Sequence, residues 1–370
     1  MNPALPCRLA AGLLIALVCN LASADDGFVL RDLGTLGRAG AKATGLNSSG
    51  AVVGYVFDSP YTLTAFVTGA GGSGMSVIES VAGFNSSANG INASGQVIGT
   101  AYIATGYAAF ITGPNVAGAM FLDNLGTPSS AGYGINDNGK VTGYSWTTGF
   151  SAFHAFSGTA NSPAVTDLTP DSQALSLGYA VNASGQIAGG ARINGQPTHA
   201  FLTNSEGTVI TDLGALGASY SRALGLNDSG QVVGYLSYGD TVSHAFVTQT
   251  QGAGMIDLGT LGGINSMAKG INAAGQVVGY AELVDGSQHA FLASVNAPGM
   301  TDLNSLVHLA DGAYFTEASA INDLGQLVAN ASNGRAYLLT PVPEPASGAL
   351  LLLGLVGLAA CRRRLDRARG

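Results

Sequence analysis

Short apolar stretches alternate with turn-forming residues along most of this chain. In one representative stretch, the largely apolar residues 223–226 precede the tetrad 227–230, Asn-Asp-Ser-Gly, and the apolar residues 232–235 follow it. Asn at the first and Gly at the fourth position suit a tight type I turn. Two apolar stretches joined by such a turn predict a β-hairpin.

The Asn-x-x-Gly tetrad recurs seven times at a nearly constant spacing. Its asparagines, which we predict to be structural, are Asn47, Asn92, Asn136, Asn182, Asn227, Asn272 and Asn322. Successive asparagines are 45, 44, 46, 45, 45 and 50 residues apart, so the units fill nearly everything between two terminal segments. A fixed period of this size is typical of propellers and solenoids.

Each unit contains two further stretches with the character of strands. The third strand carries Ala followed by an aromatic residue, as in Ala245-Phe246, and we expect this ring to fill the core of its unit. The fourth strand ends in an acidic residue such as Asp257, followed in most units by Leu. Four strands in a period of about 45 residues match a propeller blade.

The two ends of the repeated region complement each other. The region begins at residues 28–33 with a fourth strand that lacks its first three, and it ends at residues 335–339 with a third strand that lacks its fourth. Pairing them would complete a seventh blade and remove the exposed sheet edges. We therefore predict an all-β fold, a seven-bladed β-propeller of four-stranded blades closed by the N-terminal strand. An open solenoid and a different closure are the alternatives.

Composition and charge narrow the class of partner. Gly makes up 55 of the 370 residues and charged residues only 10%, against ~25% in a typical domain, so the chain favours short strands and tight turns over exposed helices. Between residues 25 and 345, 8 Lys and Arg stand against 21 Asp and Glu, a net charge of −13. Because that charge repels phosphate backbones, we expect no nucleic-acid partner.

The first 24 residues have the pattern of a secretory signal peptide. Arg8 is followed by an apolar run over residues 9–18 and by Ala-Ser-Ala at 22–24. A basic start, an apolar middle and an A-x-A end predict export and cleavage. The alternatives are a retained anchor, for which the apolar run is short, and lipidation at Cys19, which the bulky Val18 disfavours.

The last 30 residues, 341–370, carry three features in order. Pro343, Glu344 and Pro345 come first, a largely apolar segment over 349–360 follows, and Arg362, Arg363 and Arg364 come next. This order resembles the PEP-CTERM sorting signal, with a motif, a transmembrane sorting helix and a basic end that stays cytoplasmic. The resemblance implies export by a Gram-negative bacterium and processing by an exosortase, often in species that make extracellular polysaccharide. An ordinary C-terminal anchor is the alternative.

Three motifs of the repeat resemble the extracellular HAF-repeat family. They are His-Ala-Phe, Asp-Leu-Gly-x-Leu-Gly and Gly-Ile-Asn-x-x-Gly-Gln-Val-Val-Gly-Tyr, and together they cover about residues 28–340. The resemblance implies an exported repeat protein and brings no known catalytic residue. The predicted domains are therefore a signal peptide at 1–24, a HAF-repeat β-propeller at 25–340 and the sorting tail at 341–370.

Four units place His before the Ala-Phe pair and Asp 13 residues later. These histidines are His154, His199, His244 and His289. Each pair could form an acid–base dyad or bind a metal, but a contact that recurs four times is more typical of a structural tie between the third and fourth strands. All three cysteines lie in the terminal signals, so the exported domain offers no thiolate. We expect no catalytic residue, metal or cofactor.

Loops that differ between the units are the better place to look for function. The links between second and third strands carry Tyr61, Tyr107, Tyr238 and the single tryptophan, Trp146. We predict that these aromatic residues form stacking platforms for sugar rings. The alternative is that they are ordinary solvent-exposed loop residues.

These observations predict an exported, exosortase-processed surface or matrix protein that acts as a non-enzymatic binding module, with extracellular polysaccharide as the candidate ligand. We expect a monomer that associates transiently with the inner membrane and ends at the cell surface or in the extracellular matrix. The alternative from another class is a secreted polysaccharide hydrolase or lyase that uses loop carboxylates such as Asp58, Asp240, Glu282 or Asp285. A purely structural role in the extracellular matrix is the third hypothesis.

Overall fold

The computed structural model describes residues 27–59, 62–150, 152–170, 175–192, 197–239 and 241–342. The chain divides into two units, the larger of which is Phe28–Thr340. The signal peptide and, in the sorting tail, the Pro-Glu-Pro motif, the apolar segment and the arginines lie outside the described residues. Within the described part of the chain, no helix is long and apolar enough to cross a membrane.

Seven four-stranded sheets make up the larger unit, one for each repeat. In six of these blades the four strands follow one another along the chain. Blade 1 is β2 (Gly40–Leu46), β3 (Val52–Ser59), β4 (Thr62–Val67) and β5 (Ser76–Val77); blade 2 is β6 (Asn85–Ile91), β7 (Val97–Ile103), β8 (Gly106–Thr112) and β9 (Ala119–Phe121); blade 3 is β10 (Gly126–Ile135), β11 (Lys140–Thr147), β12 (Phe153–Thr159) and β13 (Ser162–Asp167). Blade 4 is β14 (Ser176–Val181), β15 (Ile187–Ala191), β16 (His199–Thr203) and β17 (Ile210–Asp212); blade 5 is β18 (Tyr220–Leu226), β19 (Val232–Ser237), β20 (Ser243–Val247) and β21 (Ile256–Gly259); blade 6 is β22 (Ser266–Ile271), β23 (Gln276–Glu282), β24 (Gln288–Ser294) and β25 (Ala297–Asp302). Short 3-10 helices lie in the connections at Ala70–Gly72, Glu79–Val81, Pro114–Val116, Thr148–Phe150, Thr250–Gly252, Leu303–Ser305 and Ala310–Gly312.

Blade 7 joins the two ends of the repeated region. Its sheet has the order β1 (Phe28–Asp32), β28 (Ala336–Pro341), β27 (Leu327–Ala331) and β26 (Phe315–Ile321). An ion pair between Arg335 Nε and Asp32 Oδ2, at 2.6 Å, reinforces this contact at the surface. The prediction of a closed seven-bladed propeller is confirmed, and the N-terminal strand supplies the missing fourth strand.

A closed ring of hydrogen bonds runs through the repeated asparagines. In every blade the asparagine Nδ2 donates to the backbone carbonyl of the corresponding asparagine in the next blade, at 2.8 to 3.2 Å, and Asn322 completes the circle by donating to Asn47. The Oδ1 of the same side chain accepts the N–H four residues later, at 2.8 to 3.0 Å, which holds the turn. Each asparagine therefore fixes its own turn and fastens its blade to the next.

The core of blades 1 to 6 is an aromatic ring that packs against a glycine, whereas in blade 7 the corresponding Tyr337 lies opposite Ala329. The phenylalanines of the Ala-Phe pairs are fully buried at Phe66, Phe110, Phe156, Phe201, Phe246 and Phe291. Phe246 lies opposite Gly234 of the second strand, and a Cβ added to this glycine would come within 1.9 Å of the Arg222 carbonyl oxygen. Only glycine fits there, because the innermost strand passes so close behind it.

Candidate functional site

Each innermost strand carries one extra residue at the same place. The ladder to the second strand shifts by one residue in all seven blades, which leaves a bulge residue between the paired positions. The bulge residues are Thr44, Asn89, Tyr133, Tyr179, Leu224, Lys269 and Ser319. Bulges re-aim side chains and are frequent beside active sites. At this ring of bulges, blades that are otherwise alike present different side chains.

A cavity of about 230 Å³ lies at the centre of the ring and is lined by the innermost strands of all seven blades. An aliphatic residue from each blade directly precedes the repeated asparagine and lines this cavity: Leu46, Ile91, Ile135, Val181, Leu226, Ile271 and Ile321. The central cavity is therefore apolar toward the Asn turns. The bulge residues, two positions earlier in each strand, lie toward the opposite face, where the links between second and third strands are.

A second cavity of about 250 Å³ extends over blades 2 to 5. Six aromatic side chains, one leucine and one arginine line it: Tyr107, Tyr133, Tyr144, Trp146, Phe153, Leu177, Tyr179 and Arg222. We call this cavity the tyrosine cleft. The bulge residues Tyr133 and Tyr179 line both cavities, so the cleft adjoins the centre of the propeller.

The aromatic rings of the tyrosine cleft form a continuous series. Trp146 lies 5.3 Å from Phe153 between ring centroids, and Phe153 lies 5.6 Å from Tyr144. Tyr144 stacks on Tyr133 at 6.0 Å, and Tyr133 is 5.0 Å from Tyr179. Because most of these side chains are half-buried, they are held in place by one another and still present ring surface to the cavity. Such rings suit the apolar faces of sugars.

Two tyrosines of the cleft, Tyr133 and Tyr144, stay neutral at ordinary pH. Burial, with help from Tyr179, raises the pKa of Tyr133 to about 12. Burial and the neighbouring Tyr133 likewise raise the pKa of Tyr144, whose hydroxyl also shares a hydrogen bond with Tyr107. Neutral phenols can donate and accept hydrogen bonds, so the cleft combines apolar ring faces with polar hydroxyl groups.

A buried charge cluster occupies the innermost strands on the other side of the ring. The carboxylate of Glu317, 4% exposed, binds Lys42 Nζ at 3.0 Å and Lys269 Nζ at 2.7 Å. Burial alone would raise the pKa of Glu317, but the two lysines outweigh it and lower the pKa to about 2. Asn330 Nδ2 donates to the same carboxylate at 3.0 Å. The cluster joins blades 6, 7 and 1 and carries a net positive charge.

The predicted binding residues fall in different places. Trp146 and Tyr107 both line the tyrosine cleft. Tyr238 lies apart from it on blade 5, where its hydroxyl donates to Asp257 at 3.3 Å and its ring contacts His244. Tyr61 lies outside the described residues. The prediction from the loops missed Tyr133, Tyr179 and the other strand residues of the cleft. A position-by-position comparison of the innermost strands would have shown that these two tyrosines differ from the repeat.

The four His–Asp pairs are in contact. In each pair the His Nδ1 lies 2.7 to 2.9 Å from the carboxylate. The other carboxylate oxygen accepts the backbone N–H two residues later, as Asp257 does from Gly259 at 2.7 Å. Each Asp therefore holds both the imidazole and the end of its own strand. His154 differs in having its Nε2 buried without a hydrogen-bond partner.

The loop carboxylates named for the enzymatic alternative have separate partners. Asp58 binds Arg38, Glu282 accepts from Asn265, and Asp285 caps a turn through Ser287. Asp240 lies outside the described residues. None of these carboxylates lines the tyrosine cleft. The described residues contain no cluster of three His, Cys, Asp or Glu side chains that could hold a metal ion.

The tail matches a known sorting motif. Residues 341–364 match the family described as the PEP-CTERM protein-sorting motif. The chain carries a PEP-CTERM sorting signal. This membrane-anchored sorting signal indicates export in a Gram-negative bacterium and processing by an exosortase, which confirms that part of the prediction. No curated protein sequence matches the chain.

Solved structures share the fold at low sequence identity. A catalytically inactive virginiamycin B lyase from Staphylococcus aureus, solved with quinupristin, is 12% identical and has a TM-score of 0.55 over 85% of this chain and 100% of its own. The propeller domain of the Trilobed protease from Pyrococcus furiosus is 11% identical, with a TM-score of 0.53 over 81% of this chain and 95% of its own. That domain has an open velcro topology, whereas β1 closes the ring here. At such identities the likeness concerns the fold alone.

Proposed function

We propose that this protein is an exported, non-enzymatic binding module of the cell surface or extracellular matrix, and that its tyrosine cleft binds a sugar ring of an extracellular polysaccharide. The observation that carries the proposal is the unbroken series of aromatic rings from Trp146 to Tyr179. The repeat motifs support membership in the HAF-repeat family, which would be consistent with an extracellular role.

The chemistry of the cleft supports a carbohydrate ligand. A sugar ring presents apolar C–H faces and a rim of hydroxyl groups, and the cleft offers ring faces together with neutral phenols. Its volume of about 250 Å³ is just below the ~300–1,000 Å³ of common small-molecule pockets. A cleft of that size suits one sugar residue of a chain rather than a long oligosaccharide.

Two features favour binding over catalysis. A tyrosine that acts as a general base needs a pKa near the working pH, whereas the pKa of Tyr133 is raised to about 12. A glycosidase of the usual kind needs two carboxylates flanking one bond, and the described lining of the cleft contains none. The cleft is therefore better suited to hold a sugar than to cleave it.

A glycan array tests the proposal directly. The full-length chain is solubilised in a detergent without a sugar headgroup and applied to bacterial polysaccharides. We expect binding that Trp146→Ala weakens about tenfold, because one stacked aromatic contact contributes ~1–1.5 kcal/mol. Tyr238→Ala, an aromatic residue outside the cleft, is the matched control and should leave binding unchanged. No binding to any glycan, or equal losses in both variants, would refute the proposal.

The enzymatic alternative needs its own measurement. The full-length chain is incubated with each polysaccharide that it binds, and the products are assayed for new reducing ends and for unsaturated uronate ends. We expect neither. New ends that disappear in a variant of the loop carboxylates, such as Asp58→Asn with Glu282→Gln, would establish a hydrolase or lyase instead.

A further inference from the structure

Arg222 stands out among the described cations because its Nε is buried without a hydrogen-bond acceptor. It lines the tyrosine cleft and is half-buried. In the described part of the chain no carboxylate lies within 4.0 Å of its guanidinium. Its Nη1 reaches the Tyr179 hydroxyl only at 3.5 Å.

The other described cations either bind protein groups or are exposed to solvent. Lys42 and Lys269 share Glu317. Lys140 binds two backbone carbonyls, at 2.8 and 2.7 Å. The surface arginines Arg38 and Arg335 pair with aspartates, while Arg31 and Arg192 are exposed to solvent. A guanidinium nitrogen taken out of water without an acceptor is costly, so the buried, unpaired Nε of the half-buried Arg222 favours an anion supplied from outside.

The surroundings of Arg222 would accept such an anion in spite of the acidic protein. Arg222 lies opposite Tyr235 on the second strand of blade 5, and Lys42 and Glu317 take the same register position in blades 1 and 7. Lys42 and the bulge residue Lys269 share the Glu317 carboxylate, whereas Arg222 has no carboxylate within 4.0 Å in the described part of the chain. Together Lys42, Lys269, Arg222 and Glu317 carry a net charge of +2, while the chain from 25 to 345 is negative overall.

We infer that the tyrosine cleft selects a sugar residue that bears a carboxylate, such as a uronate, and that Arg222 pairs with this carboxylate. The inference rests on the proposed function, because the aromatic series must hold the ring. A planar guanidinium forms two parallel hydrogen bonds with a carboxylate. The Tyr179 hydroxyl, already beside the guanidinium, can donate a further bond. The ring of the uronate then lies against Tyr133 and the rings that follow it.

The experiment compares one glycan in two charge states. Isothermal titration of the full-length chain, in a detergent without a sugar headgroup, uses an oligogalacturonide and its methyl ester, which has the same rings without the charges. We expect the acid to bind about ten- to hundredfold more tightly than the ester, as for a charge-assisted hydrogen bond. The preference should fall as salt is added.

Two variants assign the preference to one residue. Arg222→Met should remove the preference for the acid and leave the affinity for the ester, whereas Arg222→Lys should retain part of it. Arg192→Met, an exposed arginine of blade 4, is the matched control and should keep the full preference. Thermal melting of each variant verifies folding, and if Arg222→Met melts early, the lysine variant decides the question by its weakened preference alone.

The outcomes separate the inference from the proposed function. Equal affinity for acid and ester in the unaltered chain, or an unchanged preference in Arg222→Lys and Arg222→Met, overturns the role of Arg222 while glycan binding stands. Absence of binding to both glycans overturns the inference together with the proposed function. Arg222-dependent capture of a peptide with a free C-terminal carboxylate, in place of either glycan, overturns the sugar as the ligand.

Discussion

The ring of asparagine hydrogen bonds predicts a specific response to Asn182→Asp. The Nδ2 of this residue donates to the Asn227 carbonyl at 3.2 Å and to the Gln186 Oε1 at 2.9 Å. Its Oδ1 accepts from the Gln186 backbone N–H and from the Ser184 hydroxyl. Aspartate preserves both acceptor contacts of the turn and loses both donors. The substitution therefore keeps the two contacts that Oδ1 accepts in the turn and removes the two bonds that Nδ2 donates, one to Gln186 in the same blade and one to the next blade.

The magnitude follows from the burial of the site. Asn182 is 3% exposed, and two lost hydrogen bonds cost ~0.5–1.5 kcal/mol each. The carboxylate oxygen that replaces Nδ2 faces two oxygen acceptors and no donor. Its burial adds a penalty of ~1–3 kcal/mol. We expect the free energy of unfolding to fall by about 2–6 kcal/mol at neutral pH. Burial, together with the two acceptors that face the oxygen in place of Nδ2, raises the pKa of the new carboxyl above its ordinary value, so its protonated form, which can donate, is favoured in the folded state.

The pH dependence has a definite sign. A carboxyl whose pKa is raised by folding contributes its stability at low pH and loses it as pH rises through the folded-state pKa. The penalty of Asn182→Asp should therefore shrink between about pH 7 and about pH 4, near the ordinary pKa of Asp. Urea unfolding, followed by the fluorescence of Trp146 at both pH values, measures it relative to the unaltered chain.

Asn296→Asp is the matched control, because Asn296 is exposed in the turn between β24 and β25. Its effect should remain within ~0.5 kcal/mol. If Asn182→Asp were no worse than this control at neutral pH, or if its penalty were the same at both pH values, the bonds that Asn182 Nδ2 donates would not be stabilising contacts.

Three further substitutions test other parts of the molecule. His244→Ala should lower the free energy of unfolding by about 1–2 kcal/mol, because a hydrogen bond to a charged group is lost, and should therefore lower the melting midpoint. An unchanged midpoint would count against a role of His244 in tying the third and fourth strands together. Glu317→Gln should destabilise the protein by ~3–5 kcal/mol at neutral pH, because it leaves two lysines without their carboxylate partner. Since folding lowers the pKa of Glu317 to about 2, its contribution is present above the ordinary pKa of ~4.3 and is lost as pH falls toward 2, so the acid limb of the stability curve should be shallower in the variant. Replacing Glu344 with Ala should leave the sorting tail uncut, which the intact mass of the exported protein would reveal; a shortened product would contradict this.

The sequence was sufficient for the architecture because the repeat exposes the turn chemistry seven times. The spacing of the asparagines defines the blades, and the incomplete first and last units indicate how the ring closes. The same pattern could not reveal that Asn182 also donates to Asn227, since that contact depends on where the next blade places its carbonyl. The predicted role in the turn was therefore only half of what the side chain does.

The candidate site was less accessible to sequence reasoning because it is built on strands. Trp146 and Tyr107 lie near loops, where binding residues are expected. Tyr133 and Tyr179 lie within the innermost strands, which the repeat pattern assigns to the scaffold. Their orientation depends on a bulge, and the small residues that flank it are typical of strand positions throughout this chain. A loop aromatic such as Tyr238 therefore looked equivalent to Trp146, although the fold places it beside a His–Asp pair.

The division of labour between repeated and unrepeated residues explains why the cleft can exist in this scaffold. The asparagine ring in all seven blades, and the buried phenylalanines with the glycines beneath them in blades 1 to 6, hold the blades in the same geometry, so the bulge residue of each blade reaches the same level around the centre. A change at a bulge alters what the mouth of the cavity presents without touching the contacts that close the ring. Aromatic residues at two adjacent bulges, with Arg222 on the following blade, thereby create one asymmetric surface in a nearly symmetric protein. That asymmetry is what a binding site needs, and it is why the search for the ligand belongs on blades 2 to 5.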